Sequence, residues 1–176
     1  MLGNRYETQV CSIARSLEQV GERWSLLIIR DAFFAGVTRY SEFQENLGIA
    51  TNVLRSRLEG LVAAGIMDRR PVSDQHELNE YMLTDKGRDL APALIALTEW
   101  GDRWATPDEP PILYGHTVCG APVTVQVMCP TCGAVHDPTE VQARPGPGMP
   151  PAYLEARRRR RRPRPEVGPR ALRLSL

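Results

Sequence analysis

The sequence predicts a mainly α chain with one small β-hairpin, followed by a small β-rich unit and a disordered arginine-rich tail. Three observations carry that division. Apolar residues recur at helical spacing through residues 7–64, with glycines as stops. Two alternating runs flank a Ser73-Asp74-Gln75 turn. From Arg144 onward the chain is mostly Pro, Gly and Arg, a composition that cannot bury a core. With 176 residues and 42% apolar content, the chain suffices for one medium domain or two small ones.

Each element has its own warrant. Val10, Ile13, Ala14, Leu17 and Val20 define a helix over 7–20, which Gly21 ends. The run Trp24 to Ile29 is apolar almost all round, so the next helix is central and buried, and it ends near Ala35-Gly36. Tyr40, Phe43 and Leu47 share one face of a short helix over 39–47, and Gly48-Ile49-Ala50 is a tight turn. Leu54, Leu58 and Leu61, at i, i+4 and i+7, mark a helix over 51–64. Its opposite face shows Thr51, Asn52, Arg55, Ser56 and Glu59. Gly65 stops it. Met67–Val72 and Leu78–Leu83 then form the hairpin. Thr84-Asp85 starts a helix that runs to about Trp104, with Pro92 kinking it from inside. Its stripe of Leu90, Leu94, Leu97, Gly101 and Trp104 is long for one small domain. Either it closes a helical dimer or it caps the domain's own core.

Thr106 to Pro111 reads as a linker. The expected domains are therefore 1–106, a β-rich unit over 112–143 with a strand-like Val123–Val127, and a tail over 144–176. The formal net charge of +1 conceals a split. Residues 1–106 hold 12 Lys+Arg against 15 Asp+Glu, residues 107–152 hold 1 against 4, and residues 153–176 hold 9 against 2. No apolar run reaches the ~18 residues of a membrane span, and MLGNRYETQV has no signal-peptide core. A cytoplasmic, nucleoid-associated protein with no membrane partner is the expectation.

Two helices joined by a tight glycine-containing turn, then a hairpin, make a winged helix–turn–helix. The 51–64 helix would lie in the major groove of double-stranded DNA. Its groove-facing end needs small polar and Arg side chains, a demand that Thr51, Asn52, Arg55 and Ser56 meet. Arg pairs bidentately with guanine and Asn with adenine. Arg39, and Arg69 and Arg70 at the wing base, suit phosphates. The plainer reading of the same pattern is a solvated helix pair. The stretch His76-Glu77-Leu78-Asn79-Glu80 is acidic and Arg-free, so the wing would not enter the minor groove. That keeps open a protein–protein adaptor, or a redox- or metal-sensing protein, that uses the winged helix without specific DNA binding.

Gly21-Glu22-Arg23-Trp24, Gly36, Arg39-Tyr40-Ser41-Glu42-Phe43, Leu47-Gly48-Ile49, Leu54, Arg57-Leu58, Leu61 and Gly65-Ile66 occur in the order of a known pattern. So do Tyr81-Met82-Leu83-Thr84, Gly87, Leu90, Pro92, Leu97 and Trp100. Together these residues, spanning about 11–104, resemble the HxlR-type bacterial transcriptional regulators. The resemblance implies a dimeric winged-helix regulator, a repressor or an activator, on a palindromic operator. It also implies a homodimer through the first helix and the 85–104 helix. Many members carry a cysteine where Cys11 stands, and in several it is a thiol switch. Here the usual Cys-Pro is Cys11-Ser12. Cys11 is thus a redox-sensing candidate or a small apolar residue at a dimer interface. The effector, small molecule or oxidant, is not legible.

His116-x2-Cys119-x9-Cys129-x2-Cys132 has the spacing of two metal knuckles. A Cys₃His set matches a closed structural zinc site, and a unit this small needs such a staple. His136 is a second candidate ligand. A metal-free Cys129–Cys132 redox pair and an empty ribbon stay open as alternatives. No nucleophile triad, paired-carboxylate pattern or phosphate-cradling loop is present, so no enzymatic activity is expected.

Overall fold

The computed structural model describes residues 6–73, 76–106 and 109–160. Four helices come first: α1 (Ser12–Val20), α2 (Ser25–Phe34), α3 (Tyr40–Leu47) and α4 (Thr51–Ala63). The hairpin of β1 (Met67–Ser73) and β2 (His76–Leu83) follows, then α5 (Asp85–Arg88) and α6 (Ala91–Trp104). The core lies where α2, α3, α4 and the hairpin base converge. Ile28, Ile29, Phe43, Leu54, Leu58, Leu61, Ile66 and Met67 are fully buried there. Each contributes roughly 1.5–3 kcal/mol of burial. The apolar faces of α3 and α4 are thereby committed to the core, which turns their polar faces outward.

The hairpin is antiparallel, with Met67 opposite Leu83, Arg69 opposite Tyr81 and Arg70 opposite Glu80. It is tied to the entrance of α3: Arg39 bridges Glu80, and the Tyr81 N–H donates to the Thr38 carbonyl at 2.8 Å. The wing and the helix–turn–helix are therefore one body.

The structure corrects four expectations. The first helix begins at Ser12, not at residue 7. Tyr6–Gln9 forms a turn whose carbonyls accept from the Arg15 guanidinium at 2.8 and 2.9 Å, and Arg15 also pairs with Glu18 at 2.7 Å. The expected 85–104 helix is two helices. Pro92 has no N–H to give the Arg88 carbonyl, so α5 stops at Arg88 and Pro92 sits in the first turn of α6. Val123–Val127 is not a strand, because no neighbouring strand pairs with it. Among the described residues the C-terminal β-structure is only Met128–Cys129 against Gly133–Ala134 and a Gly115–Pro122 bridge. Finally, α7 (Pro151–Arg160) is helical where disorder was expected. Ala, Leu, Glu and Arg are strong helix formers, and Pro is tolerated at a first helical position. The remainder of the expected tail, 161–176, lies outside the described residues.

The chain divides into two compact units between His136 and Asp137, and the Cys/His segment belongs to the first. Tyr114 lies against Phe34 of α2 with ring centroids 4.2 Å apart, and the Val125 N–H donates to Glu99 of α6 at 2.9 Å. In the second unit a short 3₁₀ turn (Pro138–Glu140) precedes α7. Asp137 there accepts from the backbone and hydroxyl of Thr139, which hold its carboxyl below the usual range. Among the described residues, no helix is long and apolar enough to cross a membrane.

Candidate nucleic-acid interface

The turn between α3 and α4 closes at a left-handed Gly48 and buries Ile49, which seats the second helix on the first. Below, Leu54, Leu58 and Leu61 hold α4 down. Above, Thr51, Asn52, Arg55 and Ser56 are exposed in its first two turns. Tyr40 fixes that end of α4, its hydroxyl donating to the Thr51 carbonyl at 2.6 Å. The sequence pattern placed Tyr40 only on an apolar face. The signal that could have shown its role is its hydroxyl, which a purely packing position does not need.

Between α4, the start of α3 and the wing lies a cleft of about 830 Å³. Arg39, Arg55 and Arg69 all line it, contributed by three different elements. Tyr40 and Tyr81 form part of its wall, and Leu78 of the wing its rim. A groove with three guanidinium groups beside an exposed polar helix end suits a phosphate backbone running past a base edge. Acidic groups lie close to these arginines. Glu59 also lines the cleft, and Glu80 stands 4.0 Å from Arg39.

Arg70, the other arginine expected at the wing base, does not line this cleft. Neighbouring strand residues point to opposite faces, so with Arg69 on the cleft side Arg70 turns away and meets Asp68 at 3.4 Å. Arg57 was not foreseen as a structural residue. It reaches from α4 to Glu22 at 2.7 Å, linking α4 to the segment between α1 and α2.

The hairpin base is equally specific. The Thr84 hydroxyl donates to the Gly65 carbonyl at 2.8 Å and accepts from the Gly87 N–H at 3.2 Å. A Cβ on Gly87 would collide with the Ile66 carbonyl, so the helix after the wing can approach this closely only with glycine there. This contact accounts for the spacing Tyr81-x-Leu83-Thr84-x2-Gly87.

The second sequence-predicted site is brought together in pairs. His116 Nδ1 is 3.3 Å from Cys119 Sγ. Cys129 and Cys132 stand at the other knuckle, where the backbone N–H groups of Cys132 and Thr131 lower the Cys129 thiol below its usual pKa. Among the described residues no group of three or more His, Cys, Asp or Glu could hold a metal, so the two pairs are not gathered into one cluster. His136 is exposed. Cys11 is a free, exposed thiol at the N-cap of α1.

The model of the HxlR-like helix-turn-helix family matches residues 19–109, which hold α2, both helices of the turn, the wing and the cleft arginines. The chain belongs to that family. The HxlR-like chain is 45% identical over 149 residues to the uncharacterised HTH-type transcriptional regulator Rv3095 of Mycobacterium tuberculosis, covering 84% of this chain and 92% of the relative. It is 33% identical over 101 residues to the uncharacterised HTH-type regulator sll1512 of Synechocystis, covering 56% and 74%. Two solved structures described as candidate transcription factors superpose on it. PA1607 does so with a TM-score of 0.70 at 38% identity, covering 79% of this chain and 97% of its own. PA1374 of Pseudomonas aeruginosa does so with 0.60 at 35%, covering 83% and 99%. This HxlR-like protein is a DNA-binding transcriptional regulator, as its family and relatives are.

Proposed function

We propose that the protein binds a palindromic operator as a homodimer, with α4 of each protomer in a major groove. The observation that carries this reading is the convergence of Arg39, Arg55 and Arg69 on one cleft beside the exposed first turns of α4. Arg55, Asn52, Thr51 and Ser56 read base edges, while Arg39 and Arg69 hold phosphates. The wing lies over the backbone and does not enter the minor groove. The protein acts as a regulator in the cytoplasm, on the nucleoid, and carries out no catalytic step.

Two apolar faces support the dimer. Ile13 on α1 is 69% exposed, and Leu97, Trp100 and Trp104 on α6 are 52%, 61% and 70% exposed. Large aromatic side chains at that exposure mark a contact surface. Cys11 lies at the N-cap of α1, so a thiol oxidant acting there would reach the same seam. Selection of duplexes by purified protein, followed by stoichiometry in solution, tests the reading. The expected result is an inverted repeat with half-site centres about 10–10.5 bp or a multiple apart, bound by two chains. Enrichment of no sequence would favour the adaptor reading instead. A Cys11→Ser variant that responds to diamide as the wild type does would remove Cys11 from the reading.

A further inference from the structure

We propose that His116, Cys119, Cys129 and Cys132 close around one Zn²⁺ ion, which staples two hairpin tips to each other and thereby to the winged-helix core. The proposal stands on the build of the segment, residue by residue.

The first tip is a complete loop. Its legs are joined by Val123 N–H to the Tyr114 carbonyl at 2.9 Å and His116 N–H to the Ala121 carbonyl at 2.8 Å. At its end the Gly120 N–H returns to the His116 carbonyl at 2.7 Å. The second tip is the Met128–Cys129 and Gly133–Ala134 ladder, extended by the Val135 N–H to the Val127 carbonyl at 2.8 Å. In each tip the residue after the second ligand is a left-handed glycine, Gly120 at φ +70° and Gly133 at φ +87°. That backbone turns both side chains of a pair toward one point, and only glycine adopts it without strain. The same local geometry occurring twice, on ligand residues at identical spacing, is the observation that points to a common ligand.

The first pair is already spaced for chelation. An Nδ1 and an Sγ on a tetrahedral zinc, with bonds of about 2.1 and 2.3 Å, lie roughly 3.6 Å apart. His116 Nδ1 and Cys119 Sγ are 3.3 Å apart. At the other tip the antiparallel pairing of Met128 with Ala134 and of Cys129 with Gly133 brings Cys129 and Cys132 to one end of the ladder. The donors are one imidazole and three free thiols, the soft set that zinc prefers. With nine residues between Cys119 and Cys129, the tips have chain enough to meet.

The segment also needs the ion. Among the described residues 109–136 none is buried, and Leu113 and Val118 are 80% and 85% exposed. Hairpins without a core of their own need a staple. Tyr114 on Phe34 and Val125 on Glu99 attach them to the rest of the chain. The ion would therefore fix a unit that leans on α2 and α6.

The full-length protein, purified under reducing conditions, tests this by metal content, thiol count and cobalt substitution. The expected result is about one zinc per chain, with only Cys11 of the four cysteines reacting with a thiol reagent until a chelator is added. Co²⁺ in place of zinc should give the intense visible bands of a tetrahedral site together with thiolate-to-metal charge transfer. His136→Ala should keep the metal. Cys129→Ser and His116→Ala should weaken it by more than the ~10–100-fold typical of outer-shell changes, with far-UV circular dichroism confirming that the winged helix remains folded. Less than half an equivalent of zinc with all four thiols reactive overturns the proposal. So does a weak, octahedral cobalt spectrum, or metal loss on His136→Ala but not on His116→Ala.

Discussion

Replacing Arg55 by alanine separates base reading from phosphate holding. The side chain is exposed on α4, lines the cleft and makes no ion pair among the described residues, so its removal leaves no buried group unpaired. Stability should change by no more than ~0.5 kcal/mol, as for an ordinary surface substitution. Binding should change much more. A bidentate Arg–guanine pair is worth about 1–3 kcal/mol, and a dimer on a palindrome makes it twice, at sites too distant to share partners. The loss is then about 2–6 kcal/mol, roughly 30-fold to 10⁴-fold in Kd. Fluorescence anisotropy on the selected operator and on a scrambled duplex, across a salt series, measures it. The operator should lose affinity while the scrambled duplex does not, and the salt slope should stay put. An equal loss on both duplexes with a flatter slope would make Arg55 a phosphate contact and refute its assignment as a reader. An unchanged Kd would remove α4 from the interface.

Arg39→Ala and Arg69→Ala should each reduce affinity on every sequence and lower the salt slope by about 0.9 per lost phosphate contact, whereas Arg70→Ala, facing Asp68, should leave the slope unchanged. Tyr40→Phe removes the hydroxyl that holds the Thr51 carbonyl and should lower stability by about 0.5–1.5 kcal/mol in denaturant unfolding, with a matching loss of operator affinity. Trp100→Glu places a charge on the exposed α6 face and should yield monomers by size-exclusion chromatography with light scattering, with half-site binding only. Glu80→Gln removes the carboxylate beside Arg39 and should raise affinity for scrambled duplex more than for operator, by anisotropy at low salt.

Much of the DNA-reading half was legible because burial and exposure there follow one periodicity. Once Leu54, Leu58 and Leu61 are read as the core face, Thr51, Asn52, Arg55 and Ser56 must point out, and they do. The same logic, applied to a strand, would have separated Arg69 from Arg70, since consecutive strand residues cannot share a face. Contacts distant in sequence gave no such signal. Nothing local joins Arg57 to Glu22, Tyr114 to Phe34 or Val125 to Glu99, and the last two contacts tie the Cys/His segment to the first unit. The knuckles were legible as pairs, because a ligand, two residues, a ligand and a glycine is a local turn. The structure holds them as two pairs, and a meeting of all four would be a long-range event with no pattern in the chain. The break before α6 does not show in the sequence, because Pro92 suits a helix start as well as it distorts an interior. Position decided between the two, and Thr84 had already fixed where α5 begins.

The arginines of the cleft are held in check by the acids around them. Glu80 lies 4.0 Å from Arg39, and Glu59 lines the same groove. Residues 1–106 carry three more acidic than basic side chains. Attraction to phosphate is the sequence-independent part of DNA binding, and it scales with uncompensated positive charge. With that charge partly neutralised in place, the proposed reading implies weak binding to any duplex and a larger share of the free energy from contacts at base edges. The ratio of specific to non-specific affinity, not the bare Kd, decides whether a regulator finds its site among competing sequence. On the proposed reading, an acidic domain with a few placed guanidinium groups gives up total affinity for discrimination. The acidic wing, which looked like an argument against DNA, belongs to the same arrangement.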